Sequence, residues 1–216
     1  MKLKTKTLQD LRQDYHSNQL GEQDILLDPM KQFEKWFEEA MAAKIYEPNV
    51  MTLATADKSG RPNARIVLLK GFDEKGFSFY TNYLSQKGKE LRKNPYACLV
   101  FFWAEMERQV RIEGLVEKLD KTVSEEYFHS RPFGSQIGAI ASPQSQTINS
   151  RAELEQKVSE LSQQYEGKTV PKPSHWGGYL VKPTCIEFWQ GRSSRLHDRI
   201  QYKLTGQDWK IERLAP

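Results

Sequence analysis

What most limits the folds open to this sequence is a succession of short apolar segments joined by turns of only a few residues. Residues 51–55 and 64–69 read as two strands separated by Asp57-Lys58-Ser59-Gly60. Asp73-Glu74-Lys75-Gly76 leads into Phe77-Ser78-Phe79-Tyr80, and Thr205-Gly206-Gln207-Asp208 divides the segments 196–204 and 209–213. Aspartate and glycine suit such links, because the carboxylate caps nearby amides and glycine reaches positive φ without steric cost. Links this short join antiparallel neighbours, since a parallel pair needs a crossover of a dozen residues or more. Further strands are predicted in the apolar run that ends at Trp103, over 109–119 and over 185–190. The expectation is a mainly β chain with flanking helices (α+β), built as an antiparallel barrel or sandwich.

The flanking helices have their own signals. Asp28 is placed to cap a helix whose first residue is Pro29, where the missing N–H costs nothing. Phe33, Trp36, Phe37, Ala40 and Met41 then recur at the spacing of one helical face. Residues 85–93, 121–130 and 151–165 are predicted helices, and residues 170–174 a proline-bearing loop. Residues 1–28, with a short helix over 7–16, read as an amino-terminal arm, and residues 29–216 as the main domain.

Composition excludes several classes of function. Lysine and arginine total 32 against 28 acidic residues, a net charge of +4. That bias suits a small anion better than the basic stripe of a nucleic-acid surface. A hydrophobic content of 38% argues against disorder, because burial of that much apolar area offsets the entropy of ordering the chain. Cys98 and Cys185 form no CxxC and no zinc-type grouping, so neither a metal nor a disulfide scaffold is expected. No apolar run approaches the ~20 residues of a membrane-spanning helix and no signal peptide is visible, so a soluble, cytoplasmic protein is expected.

Four clusters carry possible chemistry. In an extended strand Arg195, His197 and Arg199 share one face, and two flanking cations favour a neutral imidazole able to accept a proton or a hydrogen bond. The same spacing describes a solvated edge strand. Arg65-Ile66-Val67-Leu68-Leu69-Lys70 is an apolar strand with a cation at each end, the two on opposite faces unless a bulge intervenes. Tyr127 and Arg131 share a helix surface, and Pro132 and Gly134 break that helix just before Ser135; three donors there suit a phosphate, or an ordinary helix end. Trp189 either walls a planar ligand or belongs to the core.

Taken together and in order, these segments resemble the pyridoxine (pyridoxamine) 5′-phosphate oxidase family over nearly the whole chain. The matching stretches are Arg65 to Lys70, Phe79-Tyr80-Thr81-Asn82, Glu107-Arg108-Gln109-Val110, Tyr127-Phe128-His129-Ser130-Arg131-Pro132, Ser135-Gln136-Ile137-Gly138-Ala139, Trp176-Gly177-Gly178, Ile186 to Gly191, Arg195-Leu196-His197-Asp198-Arg199 and the terminal Arg213-Leu214-Ala215-Pro216.

The resemblance implies an FMN-binding antiparallel split β-barrel, a homodimer with FMN at the dimer interface, and a phosphorylated B6 vitamer and dioxygen as reactants. It places Arg65 to Lys70, Tyr80, Thr81, Gln86, Lys87, Gln109, Gln144, Ser145, Trp189 and Arg199 at the flavin. Arg12, Tyr15, Lys70, Tyr127, Arg131, Ser135, Arg195, Leu196 and His197 fall at the substrate, with Arg195 and His197 catalytic. Gln86 stands where the family often carries an arginine beside the FMN phosphate, which shifts weight to Arg65 and Lys87. Competing readings are a split-barrel flavoprotein with another substrate, a noncatalytic pyridoxal phosphate carrier and a basic barrel for single-stranded nucleic acid.

Overall fold

Asp28 starts the first helix as its position before a proline dictates. Its Oδ1 accepts the Met30 N–H at 2.8 Å, and α1 then runs Pro29–Ala42. The structure, a computed structural model, describes residues 11, 14, 15 and 18–216. Arg12 and most of the short helix expected over 7–16 lie outside the described residues. The chain divides into two compact units. A terminal unit takes the residues up to Pro48 with Val100–Ile112 and Cys185–Pro216; a central unit takes Asn49–Leu99 and Glu113–Thr184.

The central unit opens with the predicted hairpins. Strand β1 (Val50–Ala56) pairs antiparallel with β2 (Pro62–Leu68), and the Asp57 carboxylate accepts the Ser59 and Arg61 amides in the turn between them. Strands β3 (Gly71–Asp73) and β4 (Gly76–Asn82) form the next pair. Gly76 has φ +138°, and a Cβ there would lie 2.1 Å from the Val181 carbonyl oxygen, so the position admits only glycine. Ser85 caps α2 (Gln86–Lys93). Strands β5 (Tyr96–Trp103), β6 (Arg108–Lys118) and β7 (Trp176–Gln190) are long enough to supply residues to both units. In the central unit the strand order is β2-β1-β5-β6-β7-β4-β3. Helices α3 (Lys121–Ser130), α4 (Phe133–Ala141) and α5 (Arg151–Gln164) complete it, with Phe128, Ile137, Val170 and Trp176 as a buried cluster beneath them.

In the terminal unit the end of β7 pairs antiparallel with β8 (Asp198–Thr205), and β8 with β9 (Asp208–Arg213). Its core is aromatic. Phe33 and Trp36, on the predicted face of α1, meet Phe101 and Phe188 with ring centroids 5.2 Å apart in each pair, and Phe188 packs against Tyr202 at 5.5 Å. Each such ring removes a large apolar area from water, at roughly 25 cal/mol per Å2. Arg108 crosses this core, its guanidinium 4.4 Å from the Trp36 centroid, bonded to Gln190 and ion-paired with Glu39.

The mainly β, antiparallel expectation with flanking helices holds, with nine strands and five α-helices among the described residues. Two local expectations do not. The helix over 121–130 does end before Pro132, as expected, but Gly134 interrupts nothing. Pro132 sits at the start of α4, as proline does when its missing N–H falls among the unpaired donors of a first turn, and Ser135 lies within that helix. Nor do Arg195, His197 and Arg199 share an extended strand. Ser194 and Arg195 both have left-handed φ, +56° and +62°, inside a short 3-10 turn, and β8 begins only at Asp198. No described helix is long and apolar enough to cross a membrane.

Candidate active site

A cavity of about 620 Å3 in the central unit collects cationic side chains without acidic ones. Lys70 follows β2, Lys87 stands in the first turn of α2, and Arg131 ends α3; all three line the cavity, and among the described residues no carboxylate does. Lys87 is only 8% exposed. Its ammonium donates to Thr81 Oγ1 at 3.3 Å and Gln144 Oε1 at 3.5 Å, both neutral oxygens. Burial pushes its pKa below that of an ordinary lysine, the Arg65 charge acts in the same direction, and Glu90 opposes them. A buried cation facing only neutral acceptors is improved by an incoming anion.

Arg131 has the same character. Its Nη2 donates to the Ser135 carbonyl at 2.8 Å, while its Nη1 is buried with no hydrogen-bond partner among the described residues. The guanidinium lies 4.6 Å from the Trp176 ring centroid, and burial lowers its pKa, Tyr127 opposing. A planar group of wall residues accompanies it. Tyr80 and Tyr127 stack at 3.9 Å, and Tyr80 and Trp176 at 5.5 Å, with interplanar angles of 25° and 15°. Burial raises the Tyr80 pKa. The register of β4 against β7, which sets Asn82 opposite Trp176, places this tryptophan.

Several predicted residues meet here: Ile66, Val67, Leu68, Lys70, Tyr80, Thr81, Lys87, Tyr127, Arg131, Ser135 and Gln144 all line the cavity. Others do not. Arg65 donates to Thr55 Oγ1 at 2.5 Å and is ion-paired with Glu90 at 3.2 Å; Gln86 donates to the same carboxylate at 2.9 Å. Burial alone would raise the Glu90 pKa, but hydrogen bonds from Thr55, Gln86 and Asn63 and the Arg65 charge outweigh it and hold the carboxyl below its usual range. Leu69 is buried, and Ser145 is exposed with φ +69°. Gln109 lies half-buried in β6 and lines neither cavity described here. Trp176, Asn82 and Ser142 line the cavity although reading the sequence did not single them out as site residues. For Trp176 a signal existed in its motif with Gly177 and Gly178.

The terminal unit holds a cavity of about 580 Å3, lined by Tyr15, Trp189, Arg195 and His197, and also by Asp14 and Arg192. The Trp189 and His197 rings are 4.7 Å apart, and Tyr15 meets each of them edge-on at 5.8 Å. Gly191 makes this packing possible, because a Cβ there would lie 2.7 Å from the Tyr15 ring. His197 Nδ1 accepts the Arg192 backbone N–H at 3.1 Å. Leu196 is 69% exposed and lines neither cavity. Arg199 is engaged elsewhere, donating to Glu187 at 2.7 Å and to the Ala215 carbonyl at 2.8 Å, and the Glu187 hydrogen bond raises its pKa. Among the described residues no group of three or more His, Cys, Asp and Glu side chains is placed to hold a metal ion.

Comparison with known proteins gives these cavities a context. Residues 37–165 match a family model described as pyridoxamine 5′-phosphate oxidase, and residues 176–216 match one described as the pyridoxine 5′-phosphate oxidase C-terminal dimerisation region. The chain is 56% identical over 212 residues to a pyridoxine/pyridoxamine 5′-phosphate oxidase of Nostoc punctiforme, covering 98% of this chain and 99% of that one. Among solved structures, PhzG of Burkholderia lata 383, in complex with tetrahydrophenazine-1-carboxylic acid, aligns with a TM-score of 0.86 at 31% identity, over 90% of this chain and 95% of that one. A pyridoxamine 5′-phosphate oxidase-related, FMN binding protein of Nostoc punctiforme PCC 73102 aligns with a TM-score of 0.69 at 17% identity, over 88% of this chain and 98% of its own, and shares the fold.

Proposed function

The chain belongs to the pyridoxamine 5′-phosphate oxidase family, and from that premise we propose that it oxidises pyridoxine 5′-phosphate or pyridoxamine 5′-phosphate to pyridoxal 5′-phosphate with FMN and dioxygen. Hydrogen peroxide is the accompanying product, and the amine substrate also releases ammonia. The observation that carries the reading is the central cavity, which Lys70, Lys87 and Arg131 line together with aromatic rings and, among the described residues, no carboxylate. Ligands that are planar at one end and anionic at the other fit that donor set, and both FMN and the vitamers are of this kind.

Bound FMN supplies the hydride acceptor and the route of electrons to dioxygen, chemistry that no side chain here offers. Lys87, with Thr81 and Gln144, is assigned to the FMN phosphate, since its ammonium donates only to neutral oxygens. Arg131, Tyr127, Ser135 and Lys70 are assigned to the vitamer phosphate, with the buried Nη1 of Arg131 as the donor left free for it. Holding that remote phosphate fixes where the reacting carbon stands, and so lowers the entropy cost of reaching the transition state. Arg195 and His197 are assigned to the alcohol or amine group, and Trp189 and Arg199 to the flavin. These four lie within the stretch that matches the dimerisation region, and we take the working species to be a homodimer with FMN at its interface.

The test is optical. Purified protein, reconstituted with FMN if necessary, is expected to be yellow, to bleach when pyridoxine 5′-phosphate is added without air, and to recover its colour with release of peroxide when air returns. Protein that takes up no flavin, or whose yellow colour neither vitamer changes, would overturn the reading.

A further inference from the structure

The turn between β7 and β8 fixes the chemistry of His197 more narrowly than its presence in a cavity does. Imidazole has two nitrogens, and in the neutral ring one donates while the other accepts. Here Nδ1 is already the acceptor, taking the Arg192 backbone N–H at 3.1 Å. The ring proton therefore sits on Nε2, on the opposite edge. Nε2 has no protein partner among the described residues, and His197 lines the cavity of the terminal unit.

The surroundings hold this orientation. Trp189 lies against the ring at 4.7 Å and Tyr15 approaches it edge-on at 5.8 Å, so rotation of the imidazole has to displace aromatic neighbours. Turning the ring over would also point a C–H at the Arg192 amide and leave that donor unpaired. The amide is aimed by the backbone that follows it, where Ser194 and Arg195 adopt left-handed φ although neither is glycine. Strained residues of this kind persist where the surrounding structure determines them strongly. Arg192, Arg195 and Asp14 are the charged side chains lining the same cavity.

We propose that the Arg192 backbone amide fixes His197 in the Nε2–H tautomer, so that His197 meets the substrate as a hydrogen-bond donor and not as the base that receives its proton. The Nε2 proton is retained throughout. The identity of the substrate rests on the oxidase reading above; the tautomer does not. Arg192 acts through its backbone and is a positioning residue, so its side chain is not the variable to test.

The experiment has two arms. Nitrogen-15 NMR of the FMN-loaded, histidine-labelled protein at mildly alkaline pH reads the tautomer directly, with His197 assigned by its loss in His197→Asn. The expected result is a protonated Nε2 and an unprotonated Nδ1; a protonated Nδ1 beside a bare Nε2 overturns the proposal whatever the variants do. The second arm is kinetic. Gln at 197 can place an amide N–H near the Nε2 position, whereas Asn reaches only the Nδ1 position. His197→Gln should keep turnover of pyridoxine 5′-phosphate within about tenfold of the parent, and His197→Asn should fall a further tenfold to hundredfold or so, with equal flavin content in both. An Asn variant as fast as the Gln variant overturns the donor role. A parent protein that binds FMN but oxidises neither vitamer counts against the oxidase reading, and the NMR arm then still judges the tautomer by itself.

Discussion

Several arginines in the terminal unit find carboxylates. Arg108 is paired with Glu39, Arg199 with Glu187 at 2.7 Å, and Arg213 with both Glu22 at 2.7 Å and Asp198 at 2.8 Å. In the cavity of the central unit Lys70, Lys87 and Arg131 find none among the described residues. The contrast does not come from the unit as a whole, because Arg65 in the same unit has Glu90 and lies off the cavity. A cation with a carboxylate contributes to the fold; a buried one without is a cost that only a ligand removes. On this view charge pairing separates the arginines whose charge the fold already neutralises from the cations that await an anion.

The most severe test of that division removes a partner from the paired set. Glu187 is 3% exposed and meets both Arg199 and Arg111. Glu187→Ala should cost about 3 kcal/mol in urea unfolding, the low end for a broken buried pair because both guanidiniums keep some contact with water. On the unpaired side, Arg131→Ala should lower kcat/KM for pyridoxine 5′-phosphate by about a hundredfold, the size of a lost charge-assisted hydrogen bond. Its unfolding midpoint should barely move. A variant with normal kinetics and a lowered midpoint would put Arg131 in the structural class.

Lys87→Met should split the two properties most visibly. FMN affinity, read by flavin fluorescence, should weaken by at least about tenfold, while the flavin-free protein should gain about 1 kcal/mol from losing a buried charge. The smallest effect is in pH dependence. The folded pKa of Lys87 is lowered, so the unfolded chain binds more protons between the two values, and stability should rise with pH across that alkaline interval; Lys87→Met should flatten the rise. Glu90 gives the same sign in the acid range. Its folded pKa is also lowered, so its contribution is complete above the ordinary carboxylate range and is lost as pH falls through the folded value, a loss that Glu90→Gln should abolish.

How much of this was readable from sequence differs by element. Turns were legible because Asp57-Lys58-Ser59-Gly60 and Asp73-Glu74-Lys75-Gly76 carry their chemistry locally, and α1 was legible from capping and apolar spacing. Only the end of β7, from Cys185, was predicted, since Gly177, Gly178 and Pro183 look like interruptions until neighbouring strands supply the partners. Helix α4 was missed because Pro132 was read only as the end of one helix and not also as the start of the next. At the candidate site the cations could be named from sequence, but not which of them would be neutralised: Glu90 and Glu187 come from distant positions to claim Arg65 and Arg199. The left-handed Ser194 and Arg195 were equally invisible, because nothing in a serine-arginine pair announces positive φ.

The stacked phenols of the central unit carry a consequence for any drug-like or dye-like visitor. Tyr80 and Tyr127 leave 3.9 Å between ring centres, whereas a guest sandwiched between two aromatic walls needs them about 7 Å apart. The slot is already full of its own lining. Intercalators are thereby shut out, and an inhibitor designed for this protein has to lie along the outside of the stack and anchor itself by its negative end.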